Sequence, residues 1–170
     1  NLILITKFVS NIIQQMKKTA SQTQVVMTQL VLPNDTNNLD NLRGGKLLHW
    51  MDLAAAVSAQ KHCNNIVVTA SVDHVSFESP IKRGDVVTLN AKVTRAFRTS
   101  MEVFIEVWAE NIPARRKQRS NEAYFSFVAL NDLGKPEPVP ELIPESDEEK
   151  LHFEEAAERR LQRLKQAGRK

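Results

Sequence analysis

The chain is poor in the features that would assign it to a special class of protein. It has a single cysteine, Cys63, so an intrachain disulfide is excluded and a reducing cytoplasm is the expected compartment. No apolar run reaches the ~18 residues that a membrane-spanning helix needs. The net charge of +3 is too small to indicate a nucleic-acid-binding protein, although it suits an anionic small molecule. We therefore expect neither a membrane nor a nucleic acid as a partner.

The composition is that of a globular protein that can bury a core, with 42% hydrophobic and 25% charged residues in a length of 170. Met16-Lys17-Lys18 resembles a translational start. Residues 1–15 are therefore either upstream of the native start or an extra helix packed on a neighbour. We place a leader or extension at residues 1–20, outside the core, a domain at 21–134, and a proline-rich connector with a C-terminal helix at 135–170.

A polar loop leads through two glycines into an apolar helix. Val25–Leu32 is rich in strand-forming residues and ends at Pro33. After the loop Asn34–Arg43 and the pair Gly44-Gly45, apolar residues recur at helical spacing over Lys46–Lys61. Because nearly every face of this segment is apolar, we expect a buried helix.

The next four segments have the alternation or the β-branched content of strands. They are Ile66–Phe77, Asp85–Phe97, Ser100–Asn111 and Asn121–Asn131. The connections 81–85 and 95–100 are short enough for hairpins. A strand, a buried helix and four strands that run antiparallel predict an α+β fold, in which a sheet wraps around one central helix. Phe104 and Trp108 lie on the polar face of their strand, so we expect another subunit to cover that face.

The C-terminal segment carries its own helix signals. Ser146 and Glu149 form a capping box, which predicts a helix that runs to about Gln166. Its acidic residues come early and its basic residues late, as the helix dipole favours. The helix has a thin apolar stripe, formed by Leu151, Ala157, Leu161 and Leu164. This stripe predicts weak docking on the body or on a neighbour.

Asp52, halfway along the apolar helix, is the strongest candidate for chemistry, because burying a charge is costly unless something uses it. The two glycines allow another molecule to approach the backbone at the helix N-terminus. The alternative for Asp52 is a structural acceptor or a buried ion pair. Asn41, eleven residues earlier, is either a site residue or an ordinary turn residue.

Five segments, taken in order, resemble the hotdog-fold acyl-CoA thioesterases, and within them the acyl-CoA hydrolase branch. They are Pro33-Asn-Asp-Thr-Asn, Gly44-Gly45-Lys-Leu-Leu-His-Trp-Met-Asp52, the run from Val67 to Pro80, Gly84-Asp85-Val-Val and Arg98-Thr-Ser-Met-Glu102. The likeness spans about residues 24–165. It implies a curved antiparallel sheet around one central helix, homodimers formed edge to edge, and often a homohexamer as a trimer of dimers.

The resemblance also implies roles for two side chains. The catalytic carboxylate of the family matches Asp52, and its second catalytic position matches Asn41. The sequence departs from the family at Asp40, where glycine is usual, and at Arg43, where phenylalanine or histidine is usual. These departures concern the positioning of the substrate and not the class of reaction.

Hydrolysis of a thioester needs an activated water and stabilisation of an oxyanion. Asp52 can accept a proton from water, Asn41 can orient the water or the carbonyl, and backbone N–H groups at Gly44 and Gly45 can face the oxyanion. Whether Asp52 acts as a general base or as a nucleophile stays open. Asp52 lies ~10 Å along the helix, whereas Asn41 precedes it, so the two side chains of one chain are too far apart to contact the same water. We therefore predict that Asn41 of one subunit meets Asp52 of another, so that a dimer is the minimal enzyme.

The phosphates of coenzyme A call for basic and polar residues near turns. The candidates are Lys82 and Arg83 at one turn, Arg98, Thr99 and Ser100 at a hairpin, and Arg116 in a basic loop over 115–119. We expect no cofactor, since coenzyme A is part of the substrate and of the product. We also expect no metal, because His62 and His74 have no ligand spacing with Cys63 or Asp73.

Two other functions stay open. A hotdog-fold dehydratase or hydratase needs a histidine that acts on a β-carbon, and the segments H-G-G and D-x-x-x-x-H are missing from the expected place. A non-catalytic acyl-CoA-binding protein would keep the helix and the basic turns but would not need Asp52.

Overall fold

The computed structural model describes residues 17–73, 75–166 and 168. In chain order its elements are β1 (Lys17–Thr19), β2 (Val25–Leu30), α1 (Gly44–Cys63), β3 (Ile66–Asp73), β4 (Val86–Ala96), β5 (Ser100–Asn111), β6 (Arg116–Leu130), β7 (Glu141–Ile143) and α2 (Asp147–Gln166). Short 3₁₀ turns cover Ser21–Thr23 and Pro33–Asp35. The two interpretations of residues 1–15 fall outside the described residues.

Strands β2 to β6 form one antiparallel sheet in the order β2-β4-β5-β6-β3. The antiparallel sheet and the hairpin between β4 and β5 confirm the sequence prediction. The expected hairpin at residues 81–85 is wrong, because β3 pairs with β6 at the far edge, with Thr69 opposite Phe127. The strand also ends at Asp73 and not at Phe77. Local connection lengths do not report such a long-range pairing.

A second, two-stranded sheet joins the first described residues to the segment that precedes α2. Strand β1 runs parallel to β7, with Lys17 opposite Glu141. The next residue, Ala20, is 2% exposed and belongs to the core. Placing all of residues 1–20 outside the core was therefore wrong for the last four, because β7 pairs with β1 and residues 17–20 are part of the folded body.

Helix α1 packs on one face of the five-stranded sheet and contacts all five strands. The alternation of β4 and β5 turns every second side chain toward this helix, and these residues are buried. The largest fully buried side chains include Met51 of α1 and Leu89, Ile105, Phe125 and Phe127 of the sheet. The core of the protein therefore lies between α1 and the sheet.

The helix differs from the sequence prediction in two ways. It begins at Gly44 and ends at Cys63, so both glycines lie in its first turn, and Asn64 closes it with a left-handed φ of 53°. Leu53 and Val57 are 45% and 46% exposed. The prediction that α1 is buried on all sides is therefore wrong for the single chain. The reason is geometric, since one sheet covers only one side of a helix.

Helix α2 packs on the opposite face of the sheet. The Phe104 ring lies 4.8 Å from the His152 ring, and Arg159 of α2 makes a 2.9 Å ion pair with the buried Glu102. The expectation that another subunit covers Phe104 was therefore wrong, because the chain's own α2 does so. The capping box is confirmed, since the Glu149 N–H donates to Ser146 Oγ at 3.1 Å.

The predicted docking stripe of α2 and the predicted basic loop both need correction. Leu151 and Leu161 are 59% and 58% exposed, and the docked side of α2 uses arginines in their place. Residues 116–119 are the first residues of β6, with Arg116 opposite Asn111, so the loop is shorter than predicted. Among the described residues, no helix is long and apolar enough to cross a membrane.

Candidate active site

Asp52 lies in the middle of α1, at the border between its buried and exposed sides. It is half-buried, and its Oδ1 accepts a 2.8 Å hydrogen bond from Thr69 Oγ1 of β3. It is the only carboxylate in α1. Because β3 is an edge strand, this pair of side chains sits beside an unpaired strand edge. The sequence analysis missed Thr69, since one threonine in a strand carries no signal of its own.

Several apolar side chains of α1 and of the edge strand β3 are exposed in the single chain. We call this surface the β3 rim; it comprises Leu53 and Val57 of α1 and Ile66, Val68 and Val72 of β3. Each of these side chains is between 37% and 61% exposed. Large apolar side chains beside a free strand edge are typical of a surface that another chain covers.

The glycine pair opens α1 with free backbone donors. The Arg43 carbonyl accepts the N–H groups of Lys46 and Leu47 at 3.0 and 3.1 Å. The N–H groups of Gly44 and Gly45 have no acceptor within the helix, because they belong to its first turn. A side chain at Gly44 would lie 3.3 Å from the Phe77 ring, whereas Gly45 has open space beside it. A ligand can therefore approach the backbone at Gly45.

Two asparagines shape the loop before the helix. Asn37 Oδ1 accepts the N–H groups of Leu39 at 2.9 Å and of Asn41 at 3.2 Å. Asn41 Oδ1 is buried and has no hydrogen-bond partner within the described chain. Both asparagines line a cavity of about 310 Å³ together with Leu47, Phe77 and Asn121.

The two departures from the family pattern have structural explanations. Asp40 has a left-handed φ of 55°, a conformation that favours glycine but that aspartate tolerates. Its carboxylate lies 3.7 Å from the guanidinium of Arg83. The backbone N–H of Arg83 donates to the Asp40 carbonyl at 3.0 Å. Arg43 Nη2 donates to the Asn34 carbonyl, so this side chain folds back onto the loop.

Asn41 and Asp52 have different surroundings within one chain. Asp52 comes eight residues after the first residue of α1, or ~12 Å along the helix axis. Asn41 precedes the helix and forms an isolated bridge with Lys82. The two side chains share no hydrogen-bond partner in the described chain, and a site that joins two subunits stays a prediction.

The predicted coenzyme A contacts divide into two groups at opposite ends of the sheet. Arg98, Thr99 and Ser100 lie at the turn between β4 and β5, whereas Lys82 and Arg83 precede β4 and Arg116 begins β6. One chain does not bring the two groups together.

We next consider the other titratable side chains of α1 and β3. His49 is exposed, and the fully buried His62 places Nε2 2.7 Å from the Pro140 carbonyl, with its pKa lowered by burial. Burial raises the pKa of the half-buried Cys63 thiol, which fits a packing role. Asp73 makes a 2.6 Å ion pair with Arg163 and so anchors α2. His74 lies outside the described residues, and those residues contain no cluster of metal-ligand type.

An antiparallel sheet wrapped around one central helix, with a lone carboxylate on that helix, is the architecture of hotdog-fold thioesterases. A family model for the Thioesterase superfamily matches residues 40–114. A Bacillus subtilis protein named as an uncharacterized acyl-CoA thioester hydrolase is 41% identical over 142 residues, which is 84% of this chain and 83% of that protein.

Two solved structures are similar over most of the chain. An apo-hexameric acyl-CoA thioesterase has a TM-score of 0.86 and 40% identity, and the match covers 89% of this chain and 97% of the other. An acyl-CoA hydrolase from Staphylococcus aureus, in complex with butyryl coenzyme A and coenzyme A, has a TM-score of 0.83 and 36% identity, covering 89% and 92% of the two chains. This chain belongs to the hotdog-fold acyl-CoA thioesterases.

The Staphylococcus aureus hydrolase has also been solved as three alanine variants, at an asparagine, an aspartate and a threonine. In that enzyme the aspartate comes fifteen residues after the asparagine and seventeen before the threonine.

Proposed function

We propose that this protein hydrolyses acyl-CoA thioesters to a fatty acid and coenzyme A, with Asp52 assisting the attack of water. The observation that carries the proposal is the position of Asp52, the only acid of α1, held by Thr69 beside an exposed strand edge. Asp73, by contrast, is paired with Arg163 at 2.6 Å and so serves the attachment of α2.

The chemistry follows from the groups at the site. Asp52 accepts a proton as the water oxygen forms a bond to the thioester carbon, and the carbonyl oxygen becomes negative. Backbone N–H groups at Gly44 and Gly45 stabilise that charge, and the positive end of the α1 dipole adds to their effect. When the C–S bond breaks, the thiolate of coenzyme A leaves and takes up the proton.

The amide that completes the site is either Asn37 or Asn41. Asn37, Asp52 and Thr69 repeat the residue types and the spacings of the three positions changed in the Staphylococcus aureus hydrolase. This agreement favours Asn37, whose Nδ2 is free to reach a substrate while its Oδ1 holds the loop. Asn41 stays the second candidate, because its buried Oδ1 lacks a partner in the described chain.

The minimal enzyme in this proposal is a homodimer formed at the β3 rim. Two copies of a free edge strand can pair around a two-fold axis and cover the exposed Leu53 and Val57 of both chains. The pairing would bring Asp52 of one subunit toward the loop 37–41 of the other. Three such dimers would give the hexamer that a similar thioesterase forms, and the free thiol of Cys63 fits a cytoplasmic enzyme.

The experiment is a thiol-release assay on acyl-CoAs of several lengths. We expect Asp52→Ala to lower kcat by about 100-fold or more, because a positioned proton acceptor contributes ~10²–10⁴ in rate. Thr69→Val should cause a smaller loss, since it removes only the hydrogen bond to Asp52. His49→Gln, on the exposed side of the same helix, is the matched control and should keep full activity.

The same assay compares the two asparagines. If Asn37→Ala loses activity and Asn41→Ala keeps it, the amide is Asn37, and the reverse result assigns Asn41. Tight binding of acyl-CoA by the wild type without any thiol release would contradict the enzyme and support a non-catalytic binding protein.

A further inference from the structure

The cavity beside the loop 37–41 combines apolar walls with a few polar atoms. Its volume is about 310 Å³, and its apolar walls include Leu42, Leu47, Phe77 and Ile81. The side chains of Asn37 and Asn41 also line it. A largely apolar cavity of this size suits a short hydrocarbon chain, and the asparagines decide which polar group on that chain is tolerated.

The main chain of Asn41 is held from both sides. Its N–H donates to Asn37 Oδ1 at 3.2 Å, and its carbonyl accepts the N–H of Asn37 at 2.8 Å. The next residue, Leu42, donates its N–H to the Ile81 carbonyl at 2.7 Å. The position of Asn41 at the cavity wall is therefore fixed by its own loop and by the segment that precedes β4.

The segment that carries Phe77 is anchored as well. Ser120 Oγ of β6 donates to the Ser79 carbonyl at 2.9 Å. The N–H of Glu78 donates to the Ser120 carbonyl at 3.2 Å. Because hydrogen bonds hold both walls, the cavity is preformed.

One acceptor in this cavity lacks a partner. Among the described residues that line the cavity, only Asn41 has a buried side-chain atom that makes no hydrogen bond, its Oδ1. Asn121, by contrast, donates from Nδ2 to the Ser76 carbonyl. A buried acceptor without a partner costs free energy, so such atoms are normally satisfied by protein, water or ligand. The group that satisfies Asn41 must carry a hydrogen.

We propose that Asn41 is a specificity-determining residue, which accepts a hydrogen bond from a hydroxyl group on the acyl chain of the substrate. This inference rests on the proposed function, with Asn37 as the amide of the site. Because Asn37 and Asn41 are hydrogen-bonded to each other, a chain whose thioester lies at Asn37 passes Asn41 with its first few carbons. The preferred substrates are therefore hydroxyacyl-CoA thioesters with the hydroxyl close to the thioester.

A hydroxyl group fits this position better than the other groups that an acyl-CoA offers. An unsubstituted chain leaves the acceptor to a water, which loses entropy when it is immobilised. A carboxylate on the chain has no hydrogen to donate at neutral pH. The amide N–H groups of the pantetheine arm are donors, but they are common to all acyl-CoAs and give no preference among acyl chains.

The first test is calorimetric titration of the Asp52→Ala protein with butyryl-CoA and with each enantiomer of 3-hydroxybutyryl-CoA. Because the acceptor is fixed on one wall, we expect one enantiomer to bind about tenfold more tightly than butyryl-CoA. Equal binding of the three ligands would overturn this inference and leave the proposed function intact. If none of them binds, the proposed function fails, and the inference fails with it.

Two substitutions assign the preference to the side chain of Asn41. The readout is the ratio of kcat/KM for the favoured hydroxybutyryl-CoA to kcat/KM for butyryl-CoA, from which a loss common to both substrates cancels. Asn41→Leu removes the acceptor and should lower the ratio about tenfold, whereas Asn41→Asp keeps an acceptor and should keep the ratio within about threefold. Asn38→Leu, at an exposed position of the same loop, is the matched control and should leave the ratio unchanged.

Circular dichroism of each variant checks that the protein is still folded. A ratio close to one in the wild type, or the same ratio in the wild type and in Asn41→Leu, would overturn the proposal. An equal loss of turnover on both substrates in Asn41→Leu would overturn it too, and would assign Asn41 to the reacting centre or to the pantetheine arm.

Discussion

The two helices have the same length of 20 residues and lie on opposite faces of one sheet, yet they are held there by different forces. Helix α1 packs through apolar side chains and has a single acid, Asp52. Helix α2 is docked by arginines that reach Glu102 and Asp73, and Ala156 is its only buried residue within the described chain. A charge on α1 is therefore available for chemistry, whereas most charges on the docked side of α2 are used for attachment.

The largest expected effect on stability comes from the apolar side of α1. Met51→Ala should lower the free energy of unfolding by about 4 kcal/mol, because Met51 is fully buried and the sheet cannot close the cavity. Urea denaturation measures the change. Leu151→Ala, at an exposed position of α2, is the control and should cost less than about 0.5 kcal/mol. Equal losses in the two variants would contradict the difference between the helices.

A smaller effect is expected when the ion pairs of α2 are broken. Glu102→Gln leaves Arg159 and Arg163 without a buried carboxylate, and we expect a loss of about 3 kcal/mol. Hydrogen exchange should show that the loss of protection is concentrated in α2. Glu155→Gln, which removes the exposed partner of Arg159, should cost less than about 1 kcal/mol. Loss of protection spread evenly over the sheet would argue against docking by Glu102.

The smallest expected effect is a dependence of stability on pH that originates in α1. His62 is fully buried and its pKa is lowered by burial, so the unfolded chain binds a proton there more readily than the folded one. Stability should therefore fall as the pH drops below 6.5, the ordinary pKa of histidine, toward the lower pKa of His62 in the folded chain. Urea midpoints at about pH 7.5 and about pH 5.5 measure this.

The control for this prediction is the exposed His49 on the same helix. His62→Gln should flatten the pH dependence, while His49→Gln should leave it as in the wild type. An unchanged pH dependence in His62→Gln would assign it to other groups.

The fold was largely predictable where the signal was local. Alternation predicted β5 to the residue, and the capping box at Ser146 and Glu149 predicted α2. The pairing of β3 with β6 was not predictable, because nothing in either segment specifies its partner strand. The docking side of α2 was also missed, because Glu102 occupies a position that alternation assigns to the polar face, and its burial by arginines has no periodic signal.

The candidate site was predictable in part. Asp52 is conspicuous because a charge interrupts an apolar helix, and the glycine pair marks the turn where backbone donors are free. Thr69 could not be found, since its contact with Asp52 depends on the return of β3 along the helix. Asn37 was not singled out beside Asn41, although it belongs to the same polar loop, because asparagines are common in turns. The role of Asn41 stays a prediction.

The central claim is that each active site is shared between two copies of the chain, and mixing two inactive variants tests it most directly. Asp52→Ala and Asn37→Ala proteins, or Asn41→Ala if that residue proves to be the amide, are purified separately, dissociated in mild denaturant and reassembled together. Random pairing makes half of the dimers mixed, and each mixed dimer has one intact site, so we expect about a quarter of the wild-type activity to return. Activity that stays at the level of the separate variants, although mixed dimers have formed, would show that Asp52 and its amide partner act within one chain.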